Sequence, residues 1–421
     1  MTLSELKDSI KKYQYLEDDR VITFSVAAVI ATRLRLGEPV WGIIIGASSG
    51  GKSQVLRPLA LTDSKFLHRV DDLTENTFLS GMKAGKGKDE TSLLLRIGSK
   101  GMLVISDLTV LFSKAKEARA SILSQFRMIY DGEMLKYSGT SSEAIHWKGY
   151  LGVLAGATPS VYSSFEEVAD MGERFIYWRL KDYDPRKATK LAMERSLFGK
   201  ELDGMLAQSY GTYIKDVVSA WLERPAHEQL LTLPEHVRER IMEVSIFAER
   251  VRTTISLDFT RKDITRIPVP AMPMRVSLQL TAIGKALMVM RGGAWNDEDM
   301  GILDWCAYSL ANEEKRAVLH ILAGVEYGDA VSTQKIADIV GLSTSAVSNV
   351  LQNLSAVGVL IREGMGTGSL SWRIKGEDDW RLVRGIEGIA GKERHAEREL
   401  TSEEDSEMQA VTDHALDMFG M

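Results

Sequence analysis

The chain has 421 residues, of which 44% are hydrophobic and 26% charged, with a net charge of −6. That balance fits a soluble globular protein of roughly two to four domains and excludes a globally basic nucleic-acid coat. The single cysteine, Cys306, excludes a disulfide framework and a cysteine-based zinc site, and makes the reducing cytoplasm the expected compartment.

The opening stretch "MTLSELKDSIKKYQYLEDD" is polar, so no secretory signal is expected there. The apolar run "VITFSVAAVIAT" is too short to span a bilayer, and no membrane partner is expected. Residues 1–40 read as an N-terminal helical segment that Gly37 and Pro39 bring to an end. Over residues 41–185 the apolar runs "WGIIIG", "KFLHRV", "GMLVISD", "YLGVLAGAT" and "RFIYWRL" alternate with helical stretches. This is the α/β pattern of a mostly parallel sheet with crossover helices. Residues 186–308 read as mostly helical, and residues 309–378 as three helices followed by a hairpin. Residues 379–421 form a charged tail, read as a solvated helix or a disordered segment ending in the amphipathic stretch "AVTDHALDMFGM".

The stretch "GASSGGKS" follows the run "WGIII" and fits the pattern G-x-x-x-x-G-K-[ST]. Such a loop turns its backbone N–H groups onto phosphates at the positive end of the next helix. Gly46, Ser49, Gly50, Gly51 and Gln54 are expected to cradle ATP, Lys52 to reach its β/γ oxygens, and Ser53 to ligate Mg²⁺. Asp107, just beyond the run "GMLVIS", is the expected second metal carboxylate. The residue after it is Leu108, where many ring-forming ATPases carry the Glu that aligns the attacking water. Asp72 and Glu75 are the substitute acids, on the expectation that the strand "KFLHRV" flanks the loop-bearing strand; a turn running into a helix start is the other reading.

Thr158 ends the strand "YLGVLAGA", where a polar tip can touch the γ-phosphate or the attacking water. Arg174 precedes the strand "FIYWRL"; at an exposed edge it could reach the phosphate of a neighbouring subunit, or else pair with a local acid. Between the helix "EARASILSQFRMIY" and the strand at Tyr150, "EMLKYS" and "AIHWKG" alternate around the turn "GTSSE" and read as a β-hairpin. Lys136, His146 and Lys148, interleaved with Trp147, suit nucleic-acid contact; local packing of the Trp is the alternative.

This order of features resembles the AAA+ P-loop ATPases of the hairpin-before-sensor-1 branch. The likeness is to minichromosome-maintenance-type replicative helicases and their phage or mobile-element relatives, and it covers residues 40–305. It implies an AAA+ core with a helical lid and a homo-oligomer, such as a hexameric ring. Lys52 and Ser53 match the Walker A pair and Asp107 the Walker B carboxylate. Thr158 falls at sensor 1, where those helicases have Asn, and Arg174 matches their arginine finger. The segment "PMRVSLQLTAIGKALMVMRGG" is similar to the lid segment carrying sensor 2, with Arg275 expected to reach the γ-phosphate. The Walker B Glu and the large N-terminal nucleic-acid-binding domain of those helicases have no counterpart.

The region from Glu314 to Lys375 is similar to a winged helix-turn-helix. Ser332 or Thr333 is the expected cap of its second helix, Gly341 the turn, and "LIREGMGTGSLSWRIK" the wing. Ser345, Ser348, Asn349 and Gln352 stand on the polar side of its third helix, which has no Lys or Arg. Phosphate neutralisation on DNA would therefore rest on Lys335, Arg362, Arg373 and Lys375. Two functions are carried forward. One is an oligomeric ATP-driven motor on single- or double-stranded DNA, a replicative helicase or helicase loader of a phage or mobile element. The other is a nucleotide-gated switch that binds DNA or a replication or transposition partner protein through the winged helix.

Overall fold

The protein is described here by a computed structural model covering residues 1–48, 50–80, 92–137, 144–164, 174–181, 184–196, 201–225, 231–253, 269–364 and 370–387. It divides into two compact units. The first comprises Met1–Arg252 with Ala271–Asn312, and the second Thr253–Pro270 with Glu313–Met421. The N-terminal segment, the α/β core and the helical region expected as separate parts thus share the first unit.

The first unit opens with helices α1 (Leu3–Lys11) and α2 (Arg20–Leu34). Then come strand β1 (Trp41–Ile45), α3 (Lys52–Ala60), β2 (Leu67–Val70), α4 (Leu93–Ile97) and β3 (Lys100–Ile105). Helices α5 (Thr109–Phe112) and α6 (Lys116–Tyr130) lead to the strands β4 (Glu133–Lys136), β5 (Ile145–Lys148), β6 (Tyr150–Ala157) and β7 (Ile176–Arg179). The helices α7 (Pro185–Ser196), α8 (Glu201–Leu222), α9 (Glu235–Arg252), α10 (Met274–Met290) and α11 (Met300–Tyr308) complete it.

Five strands form one parallel sheet in the order β2-β3-β6-β1-β7. All five residues of β1 are buried, as a continuous apolar run covered on both faces requires. Helix α2 is buried from Val21 to Thr32 and packs on β3 and β6, with α8 and α10 also against it. Gly152 permits this approach, since a Cβ there would lie 2.6 Å from Thr32 Oγ1. On the opposite face Trp41 packs against Phe126, Tyr130 and Phe175, with centroid distances of 5.5, 5.1 and 5.1 Å. Its indole N–H donates to the Leu151 carbonyl at 2.7 Å. The strand "KFLHRV" does not flank β1 as expected: β2 is the edge strand, paired with β3, and β1 lies between β6 and β7.

The second unit holds α12 (Glu313–Gly324), β8 (Val331–Ser332), α13 (Thr333–Val340), α14 (Thr344–Ala356), β9 (Leu360–Glu363), β10 (Ser371–Ile374) and α15 (Glu377–Glu387). Its strands form an antiparallel sheet in the order β8-β10-β9. The Ser332 hydroxyl caps α13 by accepting from Lys335 N at 3.2 Å, and the turn residue Gly341 has φ of 74°. Helix α15 corrects the expected start of the tail: Leu382 and Val383 are buried, and α15 packs on α12. The apolar spacing Trp380, Val383 and Arg384 stem forms a helical face that the run of flanking charges disguised. Residues 388–421, with the amphipathic end stretch, lie outside the described residues.

Lys315 on α12 is 4% exposed and its ammonium donates to the Thr253 carbonyl at 2.8 Å. Burial pushes its pKa down to about 7. An unfolded lysine keeps its proton to about pH 10, so the unfolded chain binds more protons than the folded one between these values. Stability should therefore rise with pH from about 7 to about 10, and lose this contribution to the slope below about 7. Urea unfolding across that range should show the rise in the natural protein and a flatter profile in Lys315→Met.

Candidate functional site

A parallel sheet gathers the carboxyl ends of its strands along one edge, and crevices for ligands form there. Here that edge carries the Gly46–Ser53 loop after β1, Thr158 after β6, Asp107 after β3, and Asp71 and Asp72 after β2. The ladder runs past β1, with Gly46 N donating to the Ala157 carbonyl at 3.1 Å. Gly51, at φ of 90°, lets the loop turn into α3, a conformation that L side chains rarely adopt. Ser49 lies outside the described residues.

Lys52 is the first residue of α3 and is 6% exposed. Its ammonium donates to the carbonyls of Gly46 at 2.8 Å and Ala47 at 2.6 Å, closing the loop on itself. Burial pushes its pKa down, and the nearby Asp107 carboxylate opposes that shift. Lys52 and Asp107 are therefore within electrostatic reach across the edge. Ser53 and Gln54 follow on the first turn of α3 and are half-buried. Among the described residues no cluster of three or more His, Cys, Asp or Glu could hold a metal. A magnesium ion bound here would depend on Ser53, Asp107 and phosphate oxygens, a donor set that suits this cation.

Asp107 is ordered from within the chain. Its Oδ1 accepts from Thr109 N at 2.9 Å. The Thr109 hydroxyl in turn accepts from Thr158 N at 2.9 Å and lies 3.3 Å from the Thr158 hydroxyl. The Ser160 hydroxyl is 2.7 Å from that of Thr158. Thr109 and Ser160 were not singled out in the sequence, although an acid followed two residues later by Thr is the spacing of a side-chain-to-backbone turn. Leu108 is 1% exposed, and its N–H donates to the Gly156 carbonyl at 2.7 Å.

Asp71 and Asp72 line a cleft with Asp107. Asp71 accepts from the Ser106 hydroxyl at 2.7 Å, and Asp72 pairs with Lys114 at 2.7 Å. Glu75 does not line that cleft; its backbone carbonyl accepts from Gln125 of α6 at 2.9 Å and from Lys136 at 3.5 Å. The placement of β2 at the sheet edge, rather than beside β1, is the reason.

A cavity of about 250 Å³ adjoins the loop. It is lined by Tyr13, Tyr15, Gly50, Gly51, Leu180 and Arg195 among others. Gln14 fixes one wall by donating to the Gln54 carbonyl at 2.6 Å. The cavity joins residues from the linker after α1, the loop and α7, an assembly that no local motif announces.

Arg174 and Arg275 lie elsewhere. Gly42 pairs with Ile176, so Arg174 stands at the amino edge of the sheet, about 20 Å along the strand direction from Gly46. Its side chain is 6% exposed, not at an exposed edge as expected. The guanidinium donates to both Asp131 carboxylate oxygens at 3.1 Å and sits 5.5 Å from the centre of the Tyr130 ring. Burial pushes its pKa down, Asp131 opposes this, and Arg275 adds to the depression. Arg275, on the first turn of α10, is thus beside Arg174 and not beside its own chain's loop. The expectation that Arg275 reaches the γ-phosphate is corrected for a site within one chain. Gln279, one turn later, secures this edge. Its carboxamide accepts from Trp41 N at 2.8 Å and donates to the Arg174 carbonyl at 2.9 Å.

The hairpin pairs β4 with β5, and its turn at 138–143 lies outside the described residues. Lys136 is turned inward, donating to Asn76 Oδ1 at 2.9 Å and the Leu79 carbonyl at 2.8 Å. Trp147 is 3% exposed and donates to the Gly98 carbonyl at 2.7 Å, so it packs locally. His146 pairs with Glu133 at 2.7 Å, and Lys148 is exposed. The exposed apolar groups are Leu135 and Tyr137, which the basic pattern had masked. In the second unit Ser345 is exposed and Asn349 half-buried on α14, and Arg373 is paired with Glu363 at 2.5 Å.

Gln279→Leu strips two buried backbone groups of their partners at the Arg174 edge. It should cost about 2–4 kcal/mol in urea unfolding. A loss under about 0.5 kcal/mol would show that this bridge does not hold the edge. No protein-family profile matches the chain, and no curated protein sequence matches it.

Proposed function

We propose that the protein binds ATP with magnesium at the Gly46–Ser53 loop and hydrolyses it in an oligomer that acts on DNA. The observation that carries this reading is the convergence of Lys52, Asp107 and Thr158 on one sheet edge while Arg174 and Arg275 stand on the other. The loop, Lys52 and the N-terminus of α3 would take the triphosphate, and the cavity beside Tyr13 and Tyr15 would take the base and ribose. Magnesium, when bound, would neutralise phosphate charge from a position held by Ser53 and Asp107. Arg174 and Arg275 are too far from the loop of their own chain, so a neighbouring copy is the reading that gives them a phosphate to serve.

Within this reading the first unit is an AAA+ core with its helical region, and the second a winged helix-turn-helix. Support for the latter is the order of α12, α13 and α14 followed by the β9–β10 pair. The fuller proposal is a motor, a replicative helicase or helicase loader of a phage or mobile element, with the hairpin touching DNA through Tyr137, Leu135 and Lys148.

A second reading is favoured by specific observations. Leu108 faces the core, Arg174 is tied to Asp131, Arg373 is tied to Glu363, and α14 carries no basic residue. These suit a slow nucleotide-gated switch whose second unit docks on protein or weakly on DNA. ATP-dependent separation of a forked duplex supports the motor; tight binding without unwinding supports the loader or the switch.

Lys52→Ala should lower ATP turnover by about 100-fold or more. Unchanged turnover would overturn the phosphate-site reading. Arg174→Ala should lower turnover by about a thousandfold while leaving ATP binding in place. Mixing it with Lys52→Ala, which still donates Arg174, should restore part of the activity. No recovery on mixing, with turnover independent of protein concentration, would contradict a shared site.

A further inference from the structure

We propose that Thr109 is a positioning residue for the hydrolytic step. It would fix the Asp107 carboxylate and the Thr158 hydroxyl at one mutual distance, so that hydroxyl groups orient the attacking water. The inference rests on reading the Gly46–Ser53 loop as an ATP site.

The ladder between β3 and β6 ends at the pairing of Ile105 with Ala155. Beyond it the two chains would diverge toward solvent. They are instead clamped twice more, by Leu108 N on the Gly156 carbonyl at 2.7 Å and by Thr158 N on the Thr109 hydroxyl at 2.9 Å. The second clamp uses a side chain where a ladder would use a carbonyl. Thr109 also donates its own N–H to Asp107 Oδ1 at 2.9 Å. One residue therefore holds both Asp107 and Thr158 at this edge.

The first clamp turns Leu108 into the core, at 1% exposure, so the position after Asp107 presents no polar group to the edge. What the edge presents is a row of hydroxyls, Thr109 to Thr158 at 3.3 Å and Thr158 to Ser160 at 2.7 Å. A hydroxyl can orient water by accepting a hydrogen bond from it, although it cannot take up a proton as a carboxylate can. In the step, the water oxygen bonds to the γ-phosphorus as the bond from that phosphorus to the β,γ-bridging oxygen breaks. The bridging oxygen leaves with the electron pair as part of ADP. Both water protons end on the phosphate product, which releases one to solvent at neutral pH. The hydroxyl row is unchanged by the step.

The test uses the full chain with ATP and magnesium, measuring phosphate release for kcat and KM and a fluorescent ATP analogue for binding. Thr109→Val keeps the shape and removes the hydroxyl. It should lower kcat by about tenfold or more with KM and nucleotide affinity nearly unchanged. Thr109→Ser, which keeps the hydroxyl, should stay within about twofold of the natural protein. Thr158→Val should lower kcat alike, and the double variant should lose little more, because both act through one link. This pair also covers the case in which Thr109→Val fails to fold. Natural-level kcat in Thr109→Val or Thr158→Val, or failure of Thr109→Ser to rescue, overturns the inference alone. Absence of ATP binding by the natural protein overturns the nucleotide reading, and this inference with it.

Discussion

Strand polarity is the constraint on which the rest depends. Five parallel strands put every carboxyl end on one edge, and the loop after β1, Asp107 and Thr158 meet there because the sheet leaves them no other place. The same polarity sends residues that precede a strand to the far edge. Arg174 precedes β7, and the start of α10 is pinned beside it by Gln279. The aromatic cluster around Trp41 then fills the space under that far edge and supplies the ring on which Arg174 rests. On the proposed reading, a single chain carries the two halves of a phosphate site facing away from each other.

As the proposed ATP site, the loop edge would be furnished for holding a triphosphate more fully than for cutting it. Lys52 is buried, oriented and within electrostatic reach of Asp107, whereas the residue after Asp107 is a core leucine. The hydroxyl row through Thr109 and Thr158 is the feature proposed for orienting the attacking water. On the proposed reading the pairing of Arg174 with Asp131 is a competitor that a neighbour's phosphate would have to displace. Both features then favour slow or assembly-gated turnover, which would suit a switch or a loader at least as well as a processive motor.

The sheet was legible because buried parallel strands are continuous apolar runs: "WGIII" and "YLGVLAGA" announce themselves without partners. The passage from β1 through a loop into α3 was legible because glycines clustered after an apolar run are read from the chain alone. Strand order was not, and this is why β2 was expected beside β1 and Glu75 near the site. The Arg174–Asp131 pair, the Thr109 clamp and the Tyr13–Tyr15 cavity join residues whose partners are set by packing. The basic residues of the hairpin divide for the same reason, since Lys136 donates to Asn76 and Leu79 while His146 and Lys148 stay exposed beside Leu135 and Tyr137.

The central claim is that the site is completed by a second copy. The most direct measurement is an electron-microscopy reconstruction of the particle assembled with magnesium and a non-hydrolysable ATP analogue, with and without DNA. The account predicts contiguous copies in which Arg174 has left Asp131 and lies within hydrogen-bond reach of a phosphate held by the next copy's Lys52. A particle in which nucleotide fills the loop while Arg174 remains on Asp131, with no second copy against that edge, would contradict it.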